Sequence, residues 1–283
     1  MNIGPYSISL LETCRFGLDG GAMFGVVPKT LWQRAYAPPD EQNRIPMAAK
    51  VLCIRGNGRT IIVDTGNSQF MAEKLASIYR LDFSDYSLDV SLAAAGIKTN
   101  DVTDVILTHL HFDHVGGAVL GEGSLRFPNA KHYVQKEQYE WAQAPAEKDR
   151  ASFMSEMFEP IRESGLLDLI DGGGELFPGV SVLPLYGHTK AMQAVIVSDG
   201  SKTLFYPADL MPTSAHIHVP YVMGYDNHPL ITIEEKKSLL PRIVDEEWVV
   251  VFEHDAMVDA SRLVHGSKGV VLSDPVSLTQ DHA

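Results

Sequence analysis

Between Thr108 and Gly117 the chain reads THLHFDHVGG, which places His109, His111, Asp113 and His114 within six residues. Histidines two apart project to the same side of an extended chain. Asp113 and His114 follow after the chain turns, so one short loop offers two ligands to one metal ion and two to a second. Neutral imidazole with carboxylate suits zinc first, with iron, manganese or cobalt as alternatives. Gly116 and Gly117 permit a tight exit or a close backbone approach. The competing reading is a surface histidine cluster. The flanks argue against it, because VILT and two glycines are not a solvated setting.

A metal needs ligands from elsewhere, and such ligands are best aimed by the end of a rigid element. Three candidates follow apolar, strand-like runs: His188 after VSVLPLYG, Asp209 after KTLFYPA, and His254 after WVVVFE. Two cations about 3.5–4 Å apart can share a bridging hydroxide, and metal binding can lower the pKa of water to about 7. That chemistry is hydrolysis at a carbonyl or phosphoryl centre.

The elements that must carry these residues are legible in outline. Strands are expected at 6–13, 48–56 and 59–66, with Asn57-Gly58 as a hairpin turn between the last two. Helices are expected at 70–79 and 87–97, and a buried strand at 101–109 runs into the motif. Beyond it come a strand at 130–135, a helix at 136–144, and a helix at 149–165 broken near Pro160. Strands then follow at 180–187, 193–200 and 202–209. A helix at 231–248 carries a capping box of Thr232 and Glu235, with Pro241 kinking it or ending its first half. A last strand leads into His254. Two similar halves of strands and helices predict a four-layer αβ/βα sandwich, two mixed β-sheets flanked by helices.

The whole chain, 1–283, is read as a single domain with a loop insertion at about 16–46 that carries one short helix around 30–35. Within it Met23, Phe24, Val26, Val27, Leu31 and Trp32 form an apolar group. It reads as a core plug, a dimer contact or the wall of an acyl pocket. The net charge of −13 disfavours a nucleic-acid partner. No stretch reads as a secretory signal or a membrane span, and Cys14 and Cys53 are read as free thiols. The expectation is a cytoplasmic protein acting on a small molecule, with a homodimer as its candidate assembly.

The set VDTG, THLHFDHVGG, YGHT, ADLMPT and FEHD, in this order, resembles the metallo-β-lactamase superfamily, and within it the branch of N-acyl-homoserine lactonases. The resemblance runs from about residue 50 to about residue 255. It implies two divalent ions, zinc first. His109, His111 and His188 would hold one, Asp113, His114 and His254 the other, and Asp209 would bridge both. Asp113 and Asp209 are thereby the catalytic candidates, Asp113 also for proton transfer to the leaving alkoxide. Asp64 resembles an aspartate that supports a ligand histidine, although a turn-capping role before Gly66 reads equally well. Thr108 and Thr189 are further supporting candidates.

Two departures stand out. Pro212 occupies the place where those lactonases carry a tyrosine, and GHTKAMQ replaces a second glycine and histidine after His188. The segment 214–228 offers His216, His218, Tyr221, Tyr225 and His228 as replacements. Met23, Phe24, Met211, His218 and Tyr221 are the pocket candidates. The resulting expectation is a binuclear hydrolase of lactones or small esters. The alternatives are a phosphotriesterase or phosphodiesterase on the same site and, more remotely, a non-catalytic metal-binding or sensor protein.

Overall fold

The structure, a computed structural model, describes residues 1–278. Its first half builds a seven-stranded sheet in chain order. The strands are β1 (Asn2–Ile3), β2 (Tyr6–Asp19), β3 (Arg44–Gly56), β4 (Arg59–Val63), β5 (Asp104–Ile106), β6 (Lys131–Gln135) and β7 (Leu167–Ile170). The second half builds another seven-stranded sheet from β8 (Gly174–Phe177), β9 (Val180–Leu185), β10 (Met192–Ser198), β11 (Thr203–Tyr206), β12 (Val249–Val251), β13 (Ala260–Gly266) and β14 (Gly269–Val276). Both sheets are mixed. In the first, β4 to β7 pair in parallel; in the second, β11 and β12 do. The helices are α1 (Gly20–Phe24), α2 (Lys29–Ala35), α3 (Glu73–Ile78), α4 (Leu88–Ala94), α5 (Phe112–Val115), α6 (Lys136–Gln143), α7 (Glu159–Glu163) and α8 (Pro229–Asp245).

Alternation along the strands decides the layering. In β3, Leu52 and Ile54 join the core between the two sheets, while Val51 and Cys53 face a second core shared with Leu88 and Leu92 of α4 and Ile161 of α7. In β4, Ile61 and Val63 point one way and Ile62 the other. On the far side, Leu240 and Ile243 of α8 pack with Trp248 and Leu263 against the second sheet. The result is the expected αβ/βα sandwich.

Several expectations need correction. The supposed loop at 16–46 is largely strand. β2 continues to Asp19 and β3 begins at Arg44, with Leu18 opposite Ile45 and Phe16 opposite Met47. Only 20–43 lies outside the hairpin, and it carries α1 and α2. The glycines and prolines there masked a pairing that tertiary packing enforces. Phe16, Leu18, Ile45 and Met47 bury against Met23, Phe24, Trp32 and Tyr36 in a third core. Phe24 and Trp32 stack with ring centroids 5.6 Å apart, so this part of the apolar group is core. Val26 is 89% exposed and takes no part in it.

Pro160 starts α7 instead of breaking a helix, since a first turn does not need its N–H. Two 3₁₀ turns precede it. Pro241 lies inside α8, which neither ends nor splits there, because the buried Leu240 and Ile243 hold the helix on the sheet. The proposed capping box is absent. α8 begins at Pro229, so Thr232 lies beyond the cap position and its hydroxyl donates to Asp226, while Glu235 accepts from the Tyr186 and Gly187 amides. The strands β7, β8, β13 and β14 had no expectation attached. The Asn57-Gly58 turn has φ of 49° and 72°, the left-handed pair of a tight hairpin, and Gly56 pairs with Arg59 across it. Cys14 and Cys53 are free and buried. Among the described residues, no helix is long and apolar enough to cross a membrane.

Candidate metal centre

The seven candidate ligands all sit just past strand ends at one edge of the sandwich. β5 delivers His109 and His111, and α5 turns Asp113 and His114 inward. β9 leads to His188, β11 to Asp209 and β12 to His254. The loop is tightly seated. A Cβ on Gly117 would lie 2.2 Å from the Thr65 carbonyl oxygen, and one on Gly116 2.6 Å from the Ser68 nitrogen. Both glycines therefore serve close backbone approach.

The side chains converge in two groups. His109, His111, His188 and Asp209 offer ligand atoms within 4.8 Å of one another, and Asp113, His114 and His254 do the same. Asp209 spans them. Its Oδ2 lies 3.0 Å from His188 Nε2 and 3.5 Å from His114 Nε2, and its Oδ1 lies 3.5 Å from His254 Nε2.

The nitrogen atoms themselves show what the centre is built to hold. His188 Nδ1 meets Asp226 Oδ1 at 3.0 Å, His114 Nδ1 meets Asp64 Oδ2 at 3.0 Å, and His254 Nδ1 meets the Ala48 carbonyl at 3.0 Å. A carbonyl or carboxylate oxygen accepts, so each Nδ1 carries the proton and each Nε2 presents a lone pair. Yet His114 Nε2 and His254 Nε2 face each other at 3.1 Å. Likewise His188 Nε2 stands 3.1 Å, and His109 Nε2 3.0 Å, from His111 Nδ1. Tetrahedral zinc with Zn–N of about 2.0–2.1 Å gives ligand edges of about 3.3–3.4 Å. Buried lone pairs at this spacing fit a cation between them, and Asp209 Oδ1 finds no hydrogen-bond donor.

The electrostatics draw positive charge to the same point, whether a proton or a metal ion carries it. Burial, then the neighbouring His114, push His109 well down, and burial with His188 does the same to His111. At His188 burial opposes charge, but Asp209 and Asp226 overcome it and raise the ring to about 9. At His114, Asp209, Asp113 and Asp64 likewise outweigh burial and raise it. Despite its burial, His188 and His114 hold Asp209 well below the carboxylate range. The pocket is negative enough to attract positive charge, and its rings are placed to bind it as metal.

Asp64 ends β4 with φ of 61°, a left-handed conformation that aims its carboxylate at the motif. It accepts from Thr108 N and Thr108 Oγ1, both at 2.8 Å, besides meeting His114. The supporting geometry and not the turn cap describes it. Thr108 Oγ1 also lies 3.0 Å from His109 Nδ1. Thr189 needs correction: its hydroxyl points to Asp149 at 3.5 Å, and the support of His188 falls to Asp226. Asp226 had no sequence signal, since 38 residues separate it from the ring it holds. Tyr206, also unforeseen, donates to Asp64 at 3.3 Å.

Above the ligands lies a cavity of about 500 Å³, its open mouth included, walled by Leu18, Met23, Tyr79, Phe112, Met223 and Tyr225. Of the five pocket candidates, only Met23 belongs to this wall. Phe24 lies behind it, stacked on Trp32 and on His216. Met211 is fully buried in the core between the sheets. His218 and Tyr221 pack on each other, away from the wall, and Tyr221 meets Phe24 edge-on. Among the residues offered in place of the tyrosine, Tyr225 is the one that lines the cavity.

Residues 46–254 match the model of the family described as "Metallo-beta-lactamase superfamily". The chain belongs to the metallo-beta-lactamase superfamily. Its relatives include an N-acyl homoserine lactonase from Bacillus thuringiensis, 29% identical over 167 residues, 58% of this chain and 60% of that protein. The match thus spans about 60% of that relative's length. A probable metal-dependent hydrolase from Staphylococcus aureus superposes with a TM-score of 0.88 at 27% identity, covering 98% of this chain and all of the other. A dizinc quorum-quenching lactonase, solved with a product, shares the fold with a TM-score of 0.81 at 21% identity, over 99% of this chain and 97% of that one. This superfamily member carries a candidate His/Asp metal cluster.

Proposed function

We propose that the chain is a binuclear metal-dependent hydrolase of lactones or small neutral esters, an EC 3.1-type activity, with zinc as the first candidate metal. In this reading His109, His111 and His188 hold one ion, Asp113, His114 and His254 the other, and Asp209 touches both. Two divalent ions so held supply an activated water and polarise the electrophile's oxygen. Asp209 keeps the two ligand sets in register. Asp113 lies on the cavity side of the motif, where its carboxylate can pass a proton to the departing alkoxide.

The observation that carries the ester reading is the character of the wall. Apart from Ser152 and the candidate ligands, the described residues lining the cavity are aliphatic, thioether and aromatic, and none is Lys or Arg. An anionic phosphoester is ordinarily met by such cations, often as bidentate guanidinium contacts. A neutral lactone with an apolar substituent needs none. Met23 and Met223 suit an apolar group of variable shape. The lactonase relatives support the same direction.

The test is a panel with the metal-loaded protein: N-acyl-homoserine lactones, aryl esters, an aryl phosphotriester and an aryl phosphodiester. Lactones or esters should show the highest kcat/KM. Preference for a phosphodiester overturns the reading, and absence of all turnover in a fully metallated protein returns the non-catalytic alternative. We further propose a small-molecule substrate, no nucleic-acid or membrane partner, and a cytoplasmic setting, with a homodimer as the candidate assembly.

A further inference from the structure

Lys236 lies on α8, and its side chain is completely buried. Its ammonium donates to the carbonyl of His218 at 2.8 Å and to that of Tyr221 at 2.8 Å. Among the described residues no carboxylate forms an ion pair with it. The charged and titratable groups that face it are Asp226, His216 and His218. Burial brings Lys236 down to about 7 even though Asp226 favours its charge. Burial, with Lys236 adding to it, also lowers both histidines, so they stay neutral beside it.

A buried cation answered only by carbonyls is a poor stabilising device. Removing it would relieve the desolvation of the charge but would leave the His218 and Tyr221 carbonyls without this donor. The value of Lys236 must lie in what it holds. The carbonyls it grips open the segment 218–226, which crosses the rim of the metal centre. Met223 and Tyr225 from this segment form part of the cavity wall, and Asp226 orients His188. Asp226 also accepts from the Met223 amide and the Thr232 hydroxyl, which ties the end of the segment back to α8. Outer grips exist as well. Lys148 donates to the Gly224 carbonyl at 2.7 Å, and the Gly224 amide donates to the Ala22 carbonyl at 2.7 Å. Lys236 is the grip that comes from the interior and fixes two carbonyls at once.

We propose that Lys236 is a positioning residue, whose buried ammonium fixes the 218–226 segment so that Met223 and Tyr225 stand as the cavity wall and Asp226 stays on His188. This rests on the cavity being the substrate site and not on which ester is cleaved there.

The experiment is hydrogen exchange, read by mass spectrometry, on metal-loaded wild type, Lys236→Met and Lys236→Gln, with thermal melts at pH 6. Met fills the volume without donors; Gln restores donors without charge. Peptides covering 218–226 should exchange about tenfold faster in Lys236→Met, with β2 to β6 unchanged. Lys236→Gln should recover part of that protection, and the Tm of Lys236→Met should fall by no more than a few degrees, because the loosening is confined to 218–226. Exchange at 218–226 within twofold of wild type overturns the proposal. So does loosening spread over the whole molecule with a larger fall in Tm, or failure of both variants to fold, because each of these marks a merely structural lysine. The readout uses no substrate, so a failed lactone panel leaves this outcome distinguishable.

Discussion

His114 Nε2 faces His254 Nε2 at 3.1 Å, while the outer nitrogens of the same rings are held by Asp64 and by the Ala48 carbonyl. Two lone pairs buried against each other are tolerable only with something positive between them. Anything bound to the native state alone adds to its stability, by about 3–4 kcal/mol at 100 to 1,000 times its Kd. Removing divalent ions with a chelator should therefore lower the Tm, and restoring Zn²⁺ should recover it. An unchanged melt after verified metal removal contradicts this reading of the rings.

The contact between His188 Nδ1 and Asp226 fixes which nitrogen faces the centre. Loss of such a partner commonly weakens metal affinity by about 10- to 100-fold. Asp226→Ala should show that weakening in a chelator competition, with its far-ultraviolet spectrum unchanged. Affinity within twofold of wild type removes Asp226 from the account.

Much of the centre was readable because chemistry and position coincide. The motif 108–117 is local, and His188, Asp209 and His254 each follow an apolar run that ends where a strand ends. Asp226 was not readable, because its role depends on α8 and the 218–226 segment folding back onto His188. The wall was misjudged for a similar reason. Phe24 and Met211 have the right character for a pocket, but neighbouring cores claim them. In the fold, hairpin chemistry at Asn57-Gly58 was explicit. The pairing of Leu18 with Ile45 was hidden by the glycines and prolines of the intervening segment.

Gly117 and Gly58 separate two uses of glycine. At Gly117 the obstacle to a Cβ is the Thr65 backbone at 2.2 Å, which cannot swing aside, whereas at Gly58 nothing lies within 4 Å and only φ of +72° is unfavourable. Gly117→Ala should cost about 1–3 kcal/mol, as overpacking does, and reduce metal retention. Gly58→Ala should cost about 1–2 kcal/mol and leave metal retention intact. Chemical denaturation with elemental analysis checks both. Equal metal loss in the two variants contradicts the close seating of the motif.

Acid stability should be governed partly by two histidines outside the ligand set. Burial is the first cause that lowers His132 and His216, each to about 4. An unfolded histidine takes its proton near pH 6.5. Between about 6.5 and 4 the unfolded chain therefore binds more protons than the native one, and stability present above pH 6.5 is lost as pH falls. The unfolding free energy of metal-loaded protein should drop through this window, and His132→Asn should flatten the slope by up to one proton. An unchanged slope in that variant shows that His132 is not held neutral by burial.

The proposed centre, seven side chains holding two cations for ester hydrolysis, makes a stoichiometric demand. Titration of chelator-treated protein with Zn²⁺, followed through hydrolysis of an N-acyl-homoserine lactone, tests it most directly. Activity should rise and saturate at two equivalents per chain. Saturation at one equivalent, or no lactone turnover with both equivalents bound, contradicts it.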